Sequence, residues 1–424
     1  MSPKRRAVFT GIGVLSSVGC DPAAFRASVM EGRAGVGPLT SLDTSELPVK
    51  IGGEIPEFNP RKMLDKEQRK SLRVMARPVQ LGFVAAKLAM ENSGTGKGQL
   101  DPDRFGVEFG AGLIASELDD LTPAAKASLN CKPNTVSLAQ WGEVGMKEVP
   151  PLWMLKYLPN MPACHVSIMH DARGPSNSIT ASDAASLLAL GEAFRILTRD
   201  VADFMLVGGT ESKLNPLSLI RNSMFGPLSP ETEPADAVLR PFDARRTGTV
   251  LGEGAGALTL EDLDHAKKRG ATIHAELVGF AGGFDRPKKG EILAGVIKRA
   301  MREAGITPDD VDHVNAHGIG SGPADAWEAN AIRLVFGDET PVYAGKAITG
   351  HTGAAGGLIE LLTTIQSFGD GRLPGTINHT ERGDDCPIAV HTGDPRPVTK
   401  DYAVKIGFTD LGQCAAVVVK RWKE

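Results

Sequence analysis

Gly174-Pro175-Ser176-Asn177-Ser178-Ile179-Thr180-Ala181-Ser182-Asp183-Ala184-Ala185-Ser186 crowds small residues around a single charged side chain. A short strand-like run gives way there to the helix-like run Ala184 to Leu197, and Asp183 stands at the junction. A turn of this kind presents a side chain to substrate, and the helix N-terminus beyond it favours negative charge. The residues alone leave two readings open: Asp183 caps the helix, or it occupies a reactive elbow.

Two more polar turns extend the pattern. Val314-Asn315-Ala316-His317-Gly318 is an apolar strand-like run ending in His and Gly. Gly345-Lys346-Ala347-Ile348-Thr349-Gly350-His351 leads into Thr352-Gly353-Ala354-Ala355-Gly356-Gly357 and the helix-like stretch Gly353 to Phe368. One such histidine is ordinarily structural, but three polar turns at strand ends read as one site. Each half thus places a long helix directly after a candidate catalytic turn, which points to a duplicated layout. Further strand-like runs are Ala7 to Thr10, Phe105 to Phe109, Phe204 to Val207, Gly256 to Leu260, Ala275 to Val278, Pro341 to Ala344 and Ala415 to Val419. With 49 glycines and 5% aromatics, the composition suits helices packed closely on sheets, an α/β protein.

Charge and cysteine usage narrow the function classes. The net charge of −4 in 424 residues offers no field for nucleic acid or a membrane surface. The basic start Ser2-Pro3-Lys4-Arg5-Arg6 runs into a strand, not a long apolar segment, so no signal peptide or membrane span is read. Cys20, Cys131, Cys164, Cys386 and Cys414 are odd in number and lack CxxC or metal-ligand spacing, which fits reduced thiols in a cytoplasm and no metal site. The lone run Gly252-Glu253-Gly254-Ala255-Gly256 is weak as a nucleotide signature.

Across nearly its whole length the chain resembles the elongating β-ketoacyl-(acyl-carrier-protein) synthases. Val8-Phe9-Thr10-Gly11-Ile12-Gly13 is similar to their opening strand and turn, and Arg240-Pro241-Phe242-Asp243 with Gly248-Thr249-Val250-Leu251-Gly252-Glu253-Gly254-Ala255-Gly256 to their central block. His265-Ala266-Lys267-Lys268-Arg269-Gly270-Ala271, Leu373-Pro374-Gly375-Thr376-Ile377-Asn378 and Gly407-Phe408 follow in order. The resemblance implies a thiolase-like five-layer αβαβα fold made of two similar halves, 1–262 and 263–424, each with a mixed five-stranded sheet. It also implies an acyl carrier protein as partner, its phosphopantetheine arm as substrate carrier with no bound cofactor, and a dimer. That dimer is either a homodimer or a heterodimer with an active ketosynthase.

By the same resemblance, His317 and His351 occupy the two catalytic histidine positions. Lys346 matches a lysine supporting His351, and Phe408 a gate whose backbone N–H helps form an oxyanion hole with that of the nucleophile. Ungapped counts from Gly174-Pro175 and from Leu190-Gly191-Glu192-Ala193 both place Asp183 on the nucleophilic cysteine; Ser182 fits only with a compensating insertion. A carboxylate could accept an acyl group from a thioester only as an anhydride, an uphill exchange, so ordinary condensation is not expected. Ile319 replaces a hydroxyl residue that contacts the phosphopantetheine arm, while Ser321 retains the second. Thr409-Asp410-Leu411-Gly412 departs from the glycine-rich turn after the gate, and the segment 124–149 is longer than usual. Three expectations stand side by side. The first is a decarboxylating or otherwise altered acyl-thioester enzyme. The second is a non-catalytic partner resembling a chain-length factor. The third has Asp183 as a general acid or base, with the sign of its pKa shift open.

Overall fold

A computed structural model describes residues 5–130 and 135–423; Ser2-Pro3-Lys4 and Cys131 lie outside the described residues. Eleven strands form one mixed sheet. In chain order they are β1 (Ala7–Leu15), β2 (Phe105–Ala111), β3 (Ser176–Ile179), β4 (Phe204–Ser212), β5 (Glu253–Asp262) and β6 (Ala275–Phe284). They continue with β7 (Val311–Asn315), β8 (Pro341–Tyr343), the two-residue β9 (Ala389–Val390), β10 (Tyr402–Phe408) and β11 (Gln413–Arg421).

The spatial order is β9-β8-β7-β10-β11-β6-β1-β5-β4-β2-β3. In the first half the strands run first, fifth, fourth, second, third from β1 outward. From β6 outward, β6-β11-β10-β7-β8 repeats that order, which is the duplication the turns foreshadow. In place of two separate five-stranded sheets, the hydrogen bonding is continuous. The first strands of the two halves pair antiparallel at Ala7 with Leu277, Val8 with Glu276 and Phe9 with Ala275.

The five principal helices are α1 (Arg77–Asn92), α2 (Ala185–Thr198), α3 (Glu291–Ala304), α4 (Gly322–Phe336) and α5 (Gly356–Asp370). In α3 the buried residues Leu293, Ala294, Val296, Ile297, Ala300 and Met301 recur at helical spacing, so one stripe faces β6 and β11 and the other faces water. Gly305, with φ of 70°, ends it. By contrast α2 and α5 are buried almost all round. Such helices belong between layers: α2 and α5 pack on each other between the two halves of the sheet, and α1 and α3 cover the outer faces. This is a thiolase-like five-layer αβαβα arrangement. The core that joins the layers includes Phe9, Leu187, Phe194, Leu258, Leu358, Leu362 and Val417. Glycine permits one of the closest contacts, because a Cβ on Gly13 would lie 2.0 Å from the carbonyl oxygen of Ala85 in α1.

Among the described residues no helix is long and apolar enough to cross a membrane.

Candidate active site

The three turns read from sequence converge at the C-terminal ends of parallel strands, the edge of an α/β sheet where ligands bind. Equivalent connections carry two of them: β3 leads through Asp183 into α2, and β8 leads through His351 into α5. The helices meet at their N-terminal ends, and Asp183 Oδ1 lies 3.2 Å from His351 Nε2. His317 follows β7, and its ring centroid is 6.1 Å from that of His351 with the planes perpendicular.

Ser182 has φ of 44° and turns outward, which directs the next residue inward. Asp183 is 9% exposed, faces the histidines and makes no capping hydrogen bond to α2. Asp183 therefore does not cap α2, and Asp183, not Ser182, is the residue in the cluster.

One cation at this site was not read from sequence. Lys213, just past β4, places Nζ 3.4 Å from Asp183 Oδ1 and 3.2 Å from His351 Nε2. Burial pushes the Asp183 carboxyl up, but His351 and Lys213 outweigh it and hold Asp183 well below the usual carboxylate range. Burial keeps His351 below its usual value against the pull of Asp183, so His351 acts through the Nε2–H it donates, and the full positive charge belongs to Lys213. On Lys213 burial acts downward, and Asp183 with Glu211 raises the group above its ordinary value. The direction that the sequence left open is downward, with Asp183 held toward the carboxylate form in a buried ion pair with Lys213. As for His351, its Nδ1 is buried without a partner among the described residues.

Lys346 serves the other histidine. It was expected to support His351, but its Nζ donates to His317 Nδ1 at 3.0 Å, to the His317 carbonyl at 2.7 Å and to Glu360 Oε1 at 2.6 Å. Its hydrogen bonds thus go to His317 and Glu360, while toward His351 it contributes its charge alone. Burial and Lys346 hold His317 well below the imidazole range, so the ring is neutral and its proton sits on Nε2. Glu360, on the buried face of α5, also accepts from Lys405 of β10, whose Nζ bonds the Ala316 carbonyl at 2.8 Å. Burial lowers Lys405 to about 8.

The remaining expected residues line the same edge. Phe408 ends β10 with its ring centroid 4.4 Å from His317 and 4.2 Å from Trp327. Ile319 and Ser321 sit in the buried turn before α4. Asp325 binds the backbone N–H groups of Ile319 at 3.0 Å and Gly320 at 3.1 Å, and Glu328 binds those of His317 at 2.6 Å and Gly318 at 2.8 Å. Both carboxylates fix the loop that follows β7.

Two chemistries are laid out side by side. His317, held as a neutral donor beside an aromatic wall, can polarise a carbonyl oxygen. The elbow offers the Asp183–Lys213 ion pair, and a carboxylate is a poor nucleophile toward a thioester.

Comparison with known proteins agrees with the fold. The family description Beta-ketoacyl synthase, N-terminal domain, matches residues 4–266, and Beta-ketoacyl synthase, C-terminal domain, matches residues 274–380. The 3-oxoacyl-[acyl-carrier-protein] synthase 2 of Coxiella burnetii is 32% identical, with 99% of each chain covered. A β-ketoacyl synthase from Burkholderia phymatum superposes with a TM-score of 0.88 at 27% identity over 99% of this chain and 100% of that one. The ishigamide ketosynthase/chain length factor gives 0.86 at 25% identity, with 99% and 100% covered.

Proposed function

Because the chain belongs to the β-ketoacyl synthase family, we propose that it acts on the malonyl thioester of an acyl carrier protein, releasing carbon dioxide without forming an acyl-enzyme. One observation carries the reading: the His317 side of the site is held ready for a thioester oxygen, while the elbow is closed by the Asp183–Lys213 pair. His317 Nε2–H donates to the thioester oxygen as negative charge develops there, and the Phe408 ring supplies a dry wall against the departing carboxylate. The turn carrying Ile319 and Ser321 receives the phosphopantetheine arm, with Ser321 as its hydroxyl contact. The Phe408 backbone N–H joins that of Asp183 as a second donor site. Loss of the carboxylate's electrostatic clash with Asp183 follows from Lys213, which neutralises it.

The test is carbon dioxide release from malonyl carrier protein, with intact-mass analysis of the protein. Release that His317→Ala abolishes, with no acyl adduct at any time point, is the expected result. An adduct on the native chain, or release unchanged in His317→Ala, would sink the reading.

A second reading, a partner of a cysteine-bearing ketosynthase, is favoured by the surface of the first half. The edge strand β3 exposes Ser176 and Asn177, and the segment 113–168 exposes Leu113, Leu138, Met146, Met154 and Ile168. An unpaired edge beside exposed apolar side chains fits a dimer contact. Co-purification with a homologous synthase, with no carbon dioxide release by the chain alone, would favour this reading over the first.

A further inference from the structure

We propose that Lys213 is the proton donor that quenches the carbanion left by decarboxylation, so that the product is the acetyl thioester; this rests on the decarboxylase reading above. The argument begins with a donor count. A lysine ammonium carries three N–H groups. Lys346 uses its three on His317 Nδ1, the His317 carbonyl and Glu360, all within 3.0 Å. Lys405 bonds the Ala316 carbonyl and Glu360, and its side chain is 0% exposed, so its third N–H is sealed inside the protein. Lys213 is different: its contact to Asp183 is long, at 3.4 Å, and the His351 Nε2 that lies 3.2 Å away already points its own proton at Asp183. At least one N–H of Lys213 is therefore unspent, and its side chain, unlike that of Lys405, keeps 10% exposure.

The other groups around the elbow lack a proton to give. Asp183 is ionised. His351 is tied to Asp183 through Nε2, and its Nδ1 is buried away from the cluster. His317 Nε2–H is the donor to the thioester oxygen. With His317 on one side and the Asp183–Lys213 pair across from it, a malonyl group bound by its carbonyl turns its α-carbon toward Lys213.

The step balances. The bond from the α-carbon to the carboxylate breaks, its electron pair stays on the α-carbon as an enolate, and carbon dioxide leaves. One Lys213 N–H proton passes to that carbon, giving the acetyl thioester. The neutral amine regains a proton from water, which the Asp183 carboxylate favours by restoring the ion pair.

Lys213→Arg separates charge from proton transfer, since guanidinium keeps the pair with Asp183 but does not give up a proton. The full-length variant is incubated with malonyl carrier protein and 13C-labelled bicarbonate, and acetyl carrier protein and labelled malonyl carrier protein are followed by mass. The expected result is acetyl formation slowed about a hundredfold, with label entering the malonyl group because the unquenched enolate recaptures carbon dioxide. Acetyl formation at the native rate overturns the proposal. So does a slow variant without label exchange, which would place the defect before decarboxylation. Should the arginine not be accommodated, Asp183→Asn with Lys213→Gln removes both charges together; it must show the same slowing and exchange. A native chain that releases no carbon dioxide defeats the decarboxylase reading itself, an outcome distinct from a native chain that turns over and a Lys213→Arg variant that matches it.

Discussion

Glu211 accepts the backbone N–H of Ala354 through Oε2 at 2.7 Å, tying the strand that delivers Lys213 to the turn that follows His351. Gly353 makes the approach possible: it has φ of 57°, and a Cβ there would lie 1.9 Å from Glu211 Oε2. Gly353→Ala should therefore destabilise the protein through both backbone strain and collision. In a Glu211→Ala background the collision with the carboxylate disappears, leaving the strain and a 2.6 Å contact with Cε of the flexible Lys213 side chain. Denaturant unfolding of the two single variants and the double variant should show a coupling of about 1 kcal/mol or more. Simple additivity would contradict the contact.

Asp183→Cys should create a thiol beside Lys213 and a helix N-terminus, both of which favour thiolate. A short iodoacetamide pulse with peptide mapping should label position 183 before Cys164, the half-buried cysteine of the segment leading to β3. An acyl thioester should also acylate the variant at position 183 and leave the native chain unmodified. Labelling no faster than Cys164 would count against the elbow.

Glu360 is hydrogen-bonded to two of the buried lysines, Lys346 and Lys405. Glu360→Gln should cost about 3 to 5 kcal/mol, because it leaves two ammonium groups facing each other away from water. Replacing Lys405 with Met in the same chain should recover part of the loss. Thermal unfolding of the three proteins measures it, and a Glu360→Gln midpoint equal to the native one would refute the bridge.

Burial raises Asp325 from 3.8 to about 6, only partly offset by the backbone N–H groups it binds. A carboxyl whose folded pKa lies above its unfolded value contributes stability that is fully present below about pH 4 and lost as the pH rises through 6. The loss for this shift is about 3 kcal/mol. Asp325→Asn should flatten the fall in stability between pH 4 and 7, as read from urea midpoints. A slope equal to that of the native protein would mean that Asp325 does not titrate as described.

Four of the site residues were legible because turn chemistry after apolar strands is local. Asp183, His317, Lys346 and His351 each stand in a turn that follows a strand-like run, and the family resemblance supplied their order and added Phe408. Lys213 escaped for the opposite reason: Thr210-Glu211-Ser212-Lys213 looks like a solvated run at a strand end. One signal was available, since Glu211 and Lys213 are two residues apart and share a face after the buried Gly208-Gly209. Glu360 and Lys405 each interrupt an apolar element, Leu358 to Leu362 and Ala403 to Ile406, and a lone charge there demands a buried partner. Their partnership depends on the register of α5 against β10, which no local pattern contains. The same holds for Lys346, closer in sequence to His351 and bonded in space to His317.

Helix α2, apolar over most of its surface apart from Glu192 and Arg195, lies on β2 and β4 with one face and completes its cover only when α5 packs on another. On a ribosome the chain reaches Asp262 about a hundred residues before it reaches the end of α5. At ordinary elongation rates that is roughly five to twenty seconds during which a finished β1–β5 layer carries a greasy, half-covered helix. A nascent chain of this design has to be shielded through that interval, so its yield in a cell is set by chaperone supply and translation speed as well as by the stability of the finished protein.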